Sequence, residues 1–207
     1  MSVDNGSNGL LIVLSGPSGV GKGTVRDELF RVNDNIIYSV SITTRQPRKG
    51  ETDGKDYFFS SKNNFFKMIE NNELLEWAEV YGNYYGTPRQ FVEKNLENGK
   101  DVILELDIQG ALQVQDSFPE GVFIFLLPPS ISELKERIKR RGTEAKEDLD
   151  KRLGAAKEEI YIAREYHYVI VNKEVNSSAS TINSIIQAEK CKFNRYGEEL
   201  IKEVIKK

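Results

Sequence analysis

Histidine and cysteine occur once each among the 207 residues. A lone Cys191 has no partner for an internal disulfide, which fits a reducing compartment. A zinc site of Cys and His ligands is excluded by the same shortage. A Ser-His-Asp triad would depend on His167 alone. That residue opens the apolar run His167–Val171 and reads as the edge of a buried strand. No apolar run approaches the ~20 residues of a membrane span. The N-terminal residues Met1 to Gly6 lack the basic-then-apolar order of a secretory signal. These absences lead to the expectation of a cytoplasmic protein. With a net charge of −3, the surface as a whole does not suit a nucleic acid polymer.

What is present reads as α/β. Four short aliphatic runs, Leu10–Leu14, Val102–Leu106, Val122–Leu127 and Tyr168–Val171, have helical patterns between them. Continuous apolar strands separated by helices predict a parallel sheet with helices on both faces. Ile36–Ile42 is a candidate fifth strand. Helix signals include Thr24–Val32, a capping box at Thr87 to Gln90 with Pro88 at the first helical position, and a second box at Ser130 to Glu133. Leu149, Leu153, Ala156, Ile160 and Ala163 are spaced four, three, four, three, an apolar stripe on one helix face. Thr181–Lys207 is charged and helical in pattern, one or two surface helices. Residues 43–86 differ from their surroundings, being rich in Tyr, Phe, Asn and Gly. They contain strand-like pieces at Tyr57–Phe59 and Leu74–Val80 and read as an inserted subdomain. Arg140–Lys146 is polar and contains glycine, a candidate mobile loop.

The strongest motif follows the first strand. Gly16, Pro17, Ser18, Gly19, Val20, Gly21, Lys22, Gly23 and Thr24 run directly into a helix. In the G-x-x-x-x-G-K pattern, glycines let backbone N–H groups converge on an anion, and the helix N-terminus adds positive potential. Lys22 supplies a full charge for the outer phosphates. Gly23 stands where the general pattern has Ser or Thr, and the hydroxyl comes one place later, on Thr24. The loop therefore predicts phosphate binding and leaves the acceptor open. Arg45 and Arg48, three apart on a loop, present planar forks that suit phosphate oxygens.

GPSGVGKGT, TTRQPRKGE, GKDYFF, EWAEVYGNYYGTP and RRGTE, in that order, resemble the guanylate kinases, from about Gly9 to about Glu189. The resemblance implies a single domain with a P-loop NTPase-type core of residues 10–42, 87–131 and 157–207. It also implies a GMP-binding insertion at 43–86 and a mobile lid at 132–156. The implied reaction moves the γ-phosphoryl of ATP to GMP, and to dGMP, with Mg²⁺ as cofactor. Carried over by position, Arg45, Arg48, Tyr57 and Tyr85 hold the GMP phosphate, with Glu51 as the acid beside the arginines. Ser41, Glu76, Thr87 and one or both of Glu105 and Asp107 face guanine. Thr87 is also a helix N-cap candidate. Arg137, Arg141 and Arg152 reach the transferring phosphates. Thr24 or Asp107 stands near the metal, directly or through water. The family more often has Asp where this chain has Glu105.

The base choice has a physical reason. Guanine offers adjacent N1–H and N2–H₂ donors, which one carboxylate accepts, whereas adenine turns an unprotonated N1 toward that charge. Glu76 thus argues against an AMP kinase. A related class of peptide-binding modules loses parts of the ATP site, and here the loop and the lid arginines are all present.

Overall fold

The computed structural model describes residues 8–48, 50–80, 82–140 and 146–206. Five strands form an all-parallel sheet: β1 (Leu11–Ser15), β2 (Ile36–Tyr38), β7 (Asp101–Glu105), β8 (Val122–Leu127) and β9 (Tyr168–Val171). Their spatial order is β2-β7-β1-β8-β9. Side chains alternate across the central strand because the strand period is two. Leu10, Ile12 and Leu14 pack toward α1 (Lys22–Val32) and α7 (Val175–Lys190). Leu11 and Val13 pack toward α3 (Arg89–Glu97), α4 (Ile108–Ser117) and the 3₁₀ turn Ile162–Glu165. The sheet is therefore covered on both faces, as its continuous apolar strands require.

A second, four-stranded sheet has the order β4-β3-β6-β5, from β3 (Ile42–Thr43), β4 (Phe58–Phe59), β5 (Leu74–Val80) and β6 (Asn83–Pro88). Helix α2 (Lys62–Glu70) closes it with Phe65, which is fully buried. Gln113 on α4 clamps this sheet to the core: its Oε1 accepts from Trp77 N at 3.1 Å and its Nε2 donates to Trp77 O at 2.8 Å. Helices α5 (Ile131–Arg140) and α6 (Lys146–Tyr161) pack together through Leu134, Ile138, Leu149 and Ala156. Helix α8 (Phe193–Ile205) is the last helix among the described residues.

Several expectations are corrected. Ile36–Ile42 is two strands, one at the edge of the core sheet and one in the second sheet. The box at Thr87 to Gln90 does not form. Thr87 belongs to β6, Pro88 is the N-cap residue with no side-chain cap, and the Thr87 hydroxyl bonds elsewhere. At the other box, Ser130 Oγ accepts from Glu133 N at 3.1 Å, while the Glu133 carboxylate accepts from Arg137 Nε at 3.1 Å. The stripe divides: Ala163 falls in the 3₁₀ turn and packs under the core sheet, apart from Leu149 and Ala156. Residues 141–145, most of the expected mobile loop, lie outside the described residues.

The largest correction concerns the C-terminal region. Helix α7 starts at Val175 and is a core element, with Ala179, Ile182 and Ile186 fully buried against α1. Ile182→Ala should therefore cost about 2–5 kcal/mol in urea denaturation. Ser184→Ala, on the exposed face of α7, should cost about 0.5 kcal/mol or less. Equal small losses would contradict the burial of this helix.

Candidate active site

The phosphate loop bends at glycines for steric reasons. Gly16 has φ 144°, and a Cβ there would lie 2.4 Å from the Leu126 carbonyl oxygen. No side chain can be built in that space, so only glycine allows β1 to turn into the loop. Gly21, also at positive φ, is the N-cap of α1, and Lys22 is its first residue. Lys22 Nζ donates to Gly16 O at 2.6 Å, folding the ammonium back over the loop. Two side chains far along the chain hold the loop from behind. Asn172 Nδ2 and Arg137 Nη1 both donate to Val20 O, at 2.9 and 3.1 Å. Ser178 Oγ in turn donates to Asn172 Oδ1 at 2.9 Å. The Thr24 side chain is exposed.

A cavity of ≈ 690 Å³ opens between the two sheets, within the range of small-ligand sites. It collects Ser41, Arg45, Arg48, Glu51, Tyr57, Glu76, Tyr85, Glu105 and Asp107, residues spread over much of the chain. Thr87 lies just behind Glu76, 1% exposed. The phosphate loop, Arg137 and His167 are not on the cavity wall.

Glu76 forms part of the cavity floor. A β-bulge between Leu74 and Glu76 shifts the register of β5 against β6, so that Leu74, Leu75 and Glu76 are all buried in succession. Bulges re-aim side chains in this way. From Glu76 the alternation resumes, and Ala78 and Val80 line the same wall. Glu76 Oε1 accepts from the Thr87 hydroxyl at 2.7 Å. Across the carboxylate sits Gly110 of α4, where a Cβ would come within 2.7 Å of Glu76 Oε2. Burial pushes the Glu76 carboxyl up to about 7, with Asp107 adding to the rise and the Thr87 bond opposing it. Asp107 is the N-cap of α4, its Oδ1 accepting from Gly110 N at 2.8 Å.

The arginine loop is organised by Glu51. Its Oε1 accepts from Arg45 Nη2 at 2.8 Å and its Oε2 from Arg48 N at 2.7 Å. The Arg45 guanidinium beside it holds its carboxyl below the usual range. Glu51 is thus bound to the Arg45 guanidinium and to the Arg48 main chain. Arg45 also lies 5.3 Å over the Tyr57 ring, which meets Tyr85 edge-on at 5.9 Å. The Arg48 side chain is exposed at the rim.

Other placements differ from expectation. Arg137 spends its donors on Glu133, Val20 O and Asn172 O, at the back of the phosphate loop. Arg141 lies outside the described residues, and Arg152 lies on α6 with a side chain outside them. Three groups at the site were not foreseen. Arg26 and Tyr38 line the cavity, and Arg26 is four residues after Lys22 on one helix face, a spacing that could have revealed it. Glu159 of α6 faces the loop: burial raises its carboxyl, Lys22 and the Ser18 N–H pull the other way. It neighbours the apolar stripe at Ile160, which was the available signal.

No group of three or more His, Cys, Asp or Glu that could hold a metal is found among the described residues.

A parallel sheet with a phosphate loop between its first strand and first helix defines a P-loop NTPase-type fold. The guanylate kinase family model matches residues 8–189. Similar curated proteins include the guanylate kinase of Halalkalibacterium halodurans, 58% identical over 92% of this chain and 94% of that protein. The guanylate kinase of Bacillus subtilis is 56% identical over 90% and 92%. Among solved structures, guanylate kinase from Anaplasma phagocytophilum superposes with a TM-score of 0.74 at 39% identity, covering 91% of this chain and 90% of that one. The chain belongs to the guanylate kinase family and is a kinase.

The raised Glu76 carboxyl has a stability consequence. The folded protein keeps that proton to about pH 7, while an unfolded chain releases it near 4.5. The stability it contributes is therefore full below about pH 4.5 and lost as pH rises through 7. Glu76→Gln removes the cost of charging a buried carboxylate. Without ligand, the variant should be more stable than the parent at pH 8 by about 1–3 kcal/mol, with the gap closing below pH 5. Thermal melts across pH 4.5–8.5 check this.

Proposed function

We propose that this enzyme transfers the γ-phosphoryl of ATP to GMP, and to dGMP, giving ADP and the diphosphate, as a cytoplasmic enzyme of purine nucleotide metabolism. The carrying observation is Glu76: a buried carboxylate at the floor of a nucleotide-sized cavity, already accepting one hydroxyl, with arginines at the opposite rim. Guanine N1–H and N2–H₂ would complete its acceptor capacity and favour its ionised form. Ser41 and Thr87 supply hydroxyls around the base, and Glu105 and Asp107 line the same wall. At the rim, Arg45, Arg48, Tyr57 and Tyr85 take the phosphate, with Glu51 holding the Arg45 guanidinium and the Arg48 main chain in place. Residues 43–86 act as the acceptor-binding part, residues 132–156 as a lid, and the rest as the ATP-binding core.

The chemistry needs no general base. The second ionisation of a phosphate monoester lies near ~6, so the attacking oxygen is largely charged at neutral pH. That oxygen bonds to the γ-phosphorus as the bond to the β–γ bridging oxygen breaks, and the electron pair leaves on ADP. The residues position the two nucleotides in line and neutralise charge. Gly16 to Thr24 and Lys22 hold the ATP phosphates. Arg45 fixes the acceptor. Arg137, which grips the back of the loop, can turn inward with Arg141 and Arg152 when the lid closes, and closure excludes water. Thr24 and Asp107 are the residues that would hold Mg²⁺, directly or through water, and the ion would supply positive charge for the ATP phosphates.

In a coupled ADP-release assay, Lys22→Ala should lower kcat about 10³-fold or more while the KM for GMP changes little. Unchanged turnover sinks the donor-loop assignment. Glu76→Gln should cut the preference for GMP over AMP by about 10²-fold or more. Full retention of selectivity rejects the base-reading role.

A further inference from the structure

Two departures from the expected patterns meet in space. Gly23 lacks the hydroxyl residue of the general phosphate loop, and Glu105 is one methylene longer than the Asp more usual at its position. A Cβ on residue 23 would make ordinary contacts, at 3.6 Å from Glu105 Oε2, 3.8 Å from Glu105 Oε1 and 3.7 Å from Arg26 Nη2. The space beside Gly23 is thus faced by an ion pair, Arg26 Nη1 to Glu105 Oε2 at 3.0 Å. Both side chains are 22% exposed, a setting in which one hydrogen-bonded pair has directional value as well as charge. Arg26 is itself held on two sides. Its guanidinium stacks 4.5 Å over the Tyr38 ring, and its Nε and Nη2 donate to Asp27 Oδ1 at 3.1 and 2.8 Å. Arg26, Tyr38 and Glu105 all line the acceptor cavity. Among the described residues, Glu105 Oε2 is the oxygen that is paired, and Oε1 accepts no hydrogen bond.

We infer that Arg26 is a positioning residue for the acceptor: it fixes Glu105 by one carboxylate oxygen so that the other is presented to a hydrogen-bond donor of GMP. A glutamate has an extra rotatable bond compared with aspartate, so an unclamped Glu105 would sample several rotamers at the cavity wall. Arg26 removes that freedom. Because Arg26 is on α1, directly after the phosphate loop, the clamp also ties the acceptor wall to the element that carries the donor loop. The inference depends on the cavity being the GMP site, as proposed above.

Steady-state kinetics with GMP and ATP varied in turn test it. Arg26→Met should raise the KM for GMP about tenfold, with kcat and the KM for ATP changed by less than about threefold. Arg26→Lys, which keeps charge but not the planar fork, should recover part of that loss. Glu105→Gln should raise the KM for GMP to a similar degree, and the double variant should be no worse than either single one, since both break one coupled pair. A GMP KM unmoved by Arg26→Met overturns the inference, as do multiplicative effects in the double variant, which make Arg26 act independently of Glu105. Glu76→Gln, run alongside, separates the two levels. If it raises the KM for GMP while Arg26→Met does not, only the clamp fails. If Glu76→Gln also leaves it unmoved, the cavity is not the GMP site.

Discussion

The hydrogen bond from the Thr87 hydroxyl to the buried Glu76 carboxylate constrains the acceptor side of this enzyme more than any other contact. An acidic group 6% exposed has little water to solvate it, so its surroundings must either neutralise it or satisfy it. Here they do both in part: one hydroxyl donates, and the proton is held up to about pH 7. The neighbouring sequence fits this one group. A bulge in β5 turns Glu76 inward, Gly110 leaves out a side chain that would strike it, and Thr87 donates to it from β6. A site in this state is incomplete without a ligand that brings donors, and guanine has two side by side.

The donor side follows from strand order. In the sheet β7 lies beside β1, with Leu14 opposite Glu105. The end of the strand that feeds the phosphate loop therefore neighbours the end that carries Glu105 and Asp107. Ligand sites of open α/β sheets lie at the carboxyl ends of the strands for this topological reason. The loop itself is held at Val20 O by Asn172, which follows β9, and by Arg137 of α5. Arg137 is thus a structural brace of the phosphate loop in this structure.

Much of this was legible along the chain. Val122–Leu127, Tyr168–Val171 and Leu74–Val80 form strands with the expected limits because their residue types and length allow little else. The phosphate loop was readable as a spaced motif, and the residues that line the cavity were picked out through the family resemblance. Other features were hidden for physical reasons. Thr87 before Pro88 has the chemistry of a helix cap, but a buried carboxylate on the next strand competes for its hydroxyl and wins. The apolar face of α7 is diluted by Ser and Asn, so Ala179, Ile182 and Ile186 gave a weak stripe although they reach the core. Asn172 acts on Val20, far away in sequence, where local periodicity carries no information.

The most direct test of this account is the titration of the Glu76 carboxyl itself, by NMR of glutamate-labelled protein assigned with Glu76→Gln, with and without GMP. The account predicts a midpoint near 7 in the free protein and a fall of about two units or more once guanine donates to the ionised form. A Glu76 midpoint that does not move on saturation with GMP would contradict it.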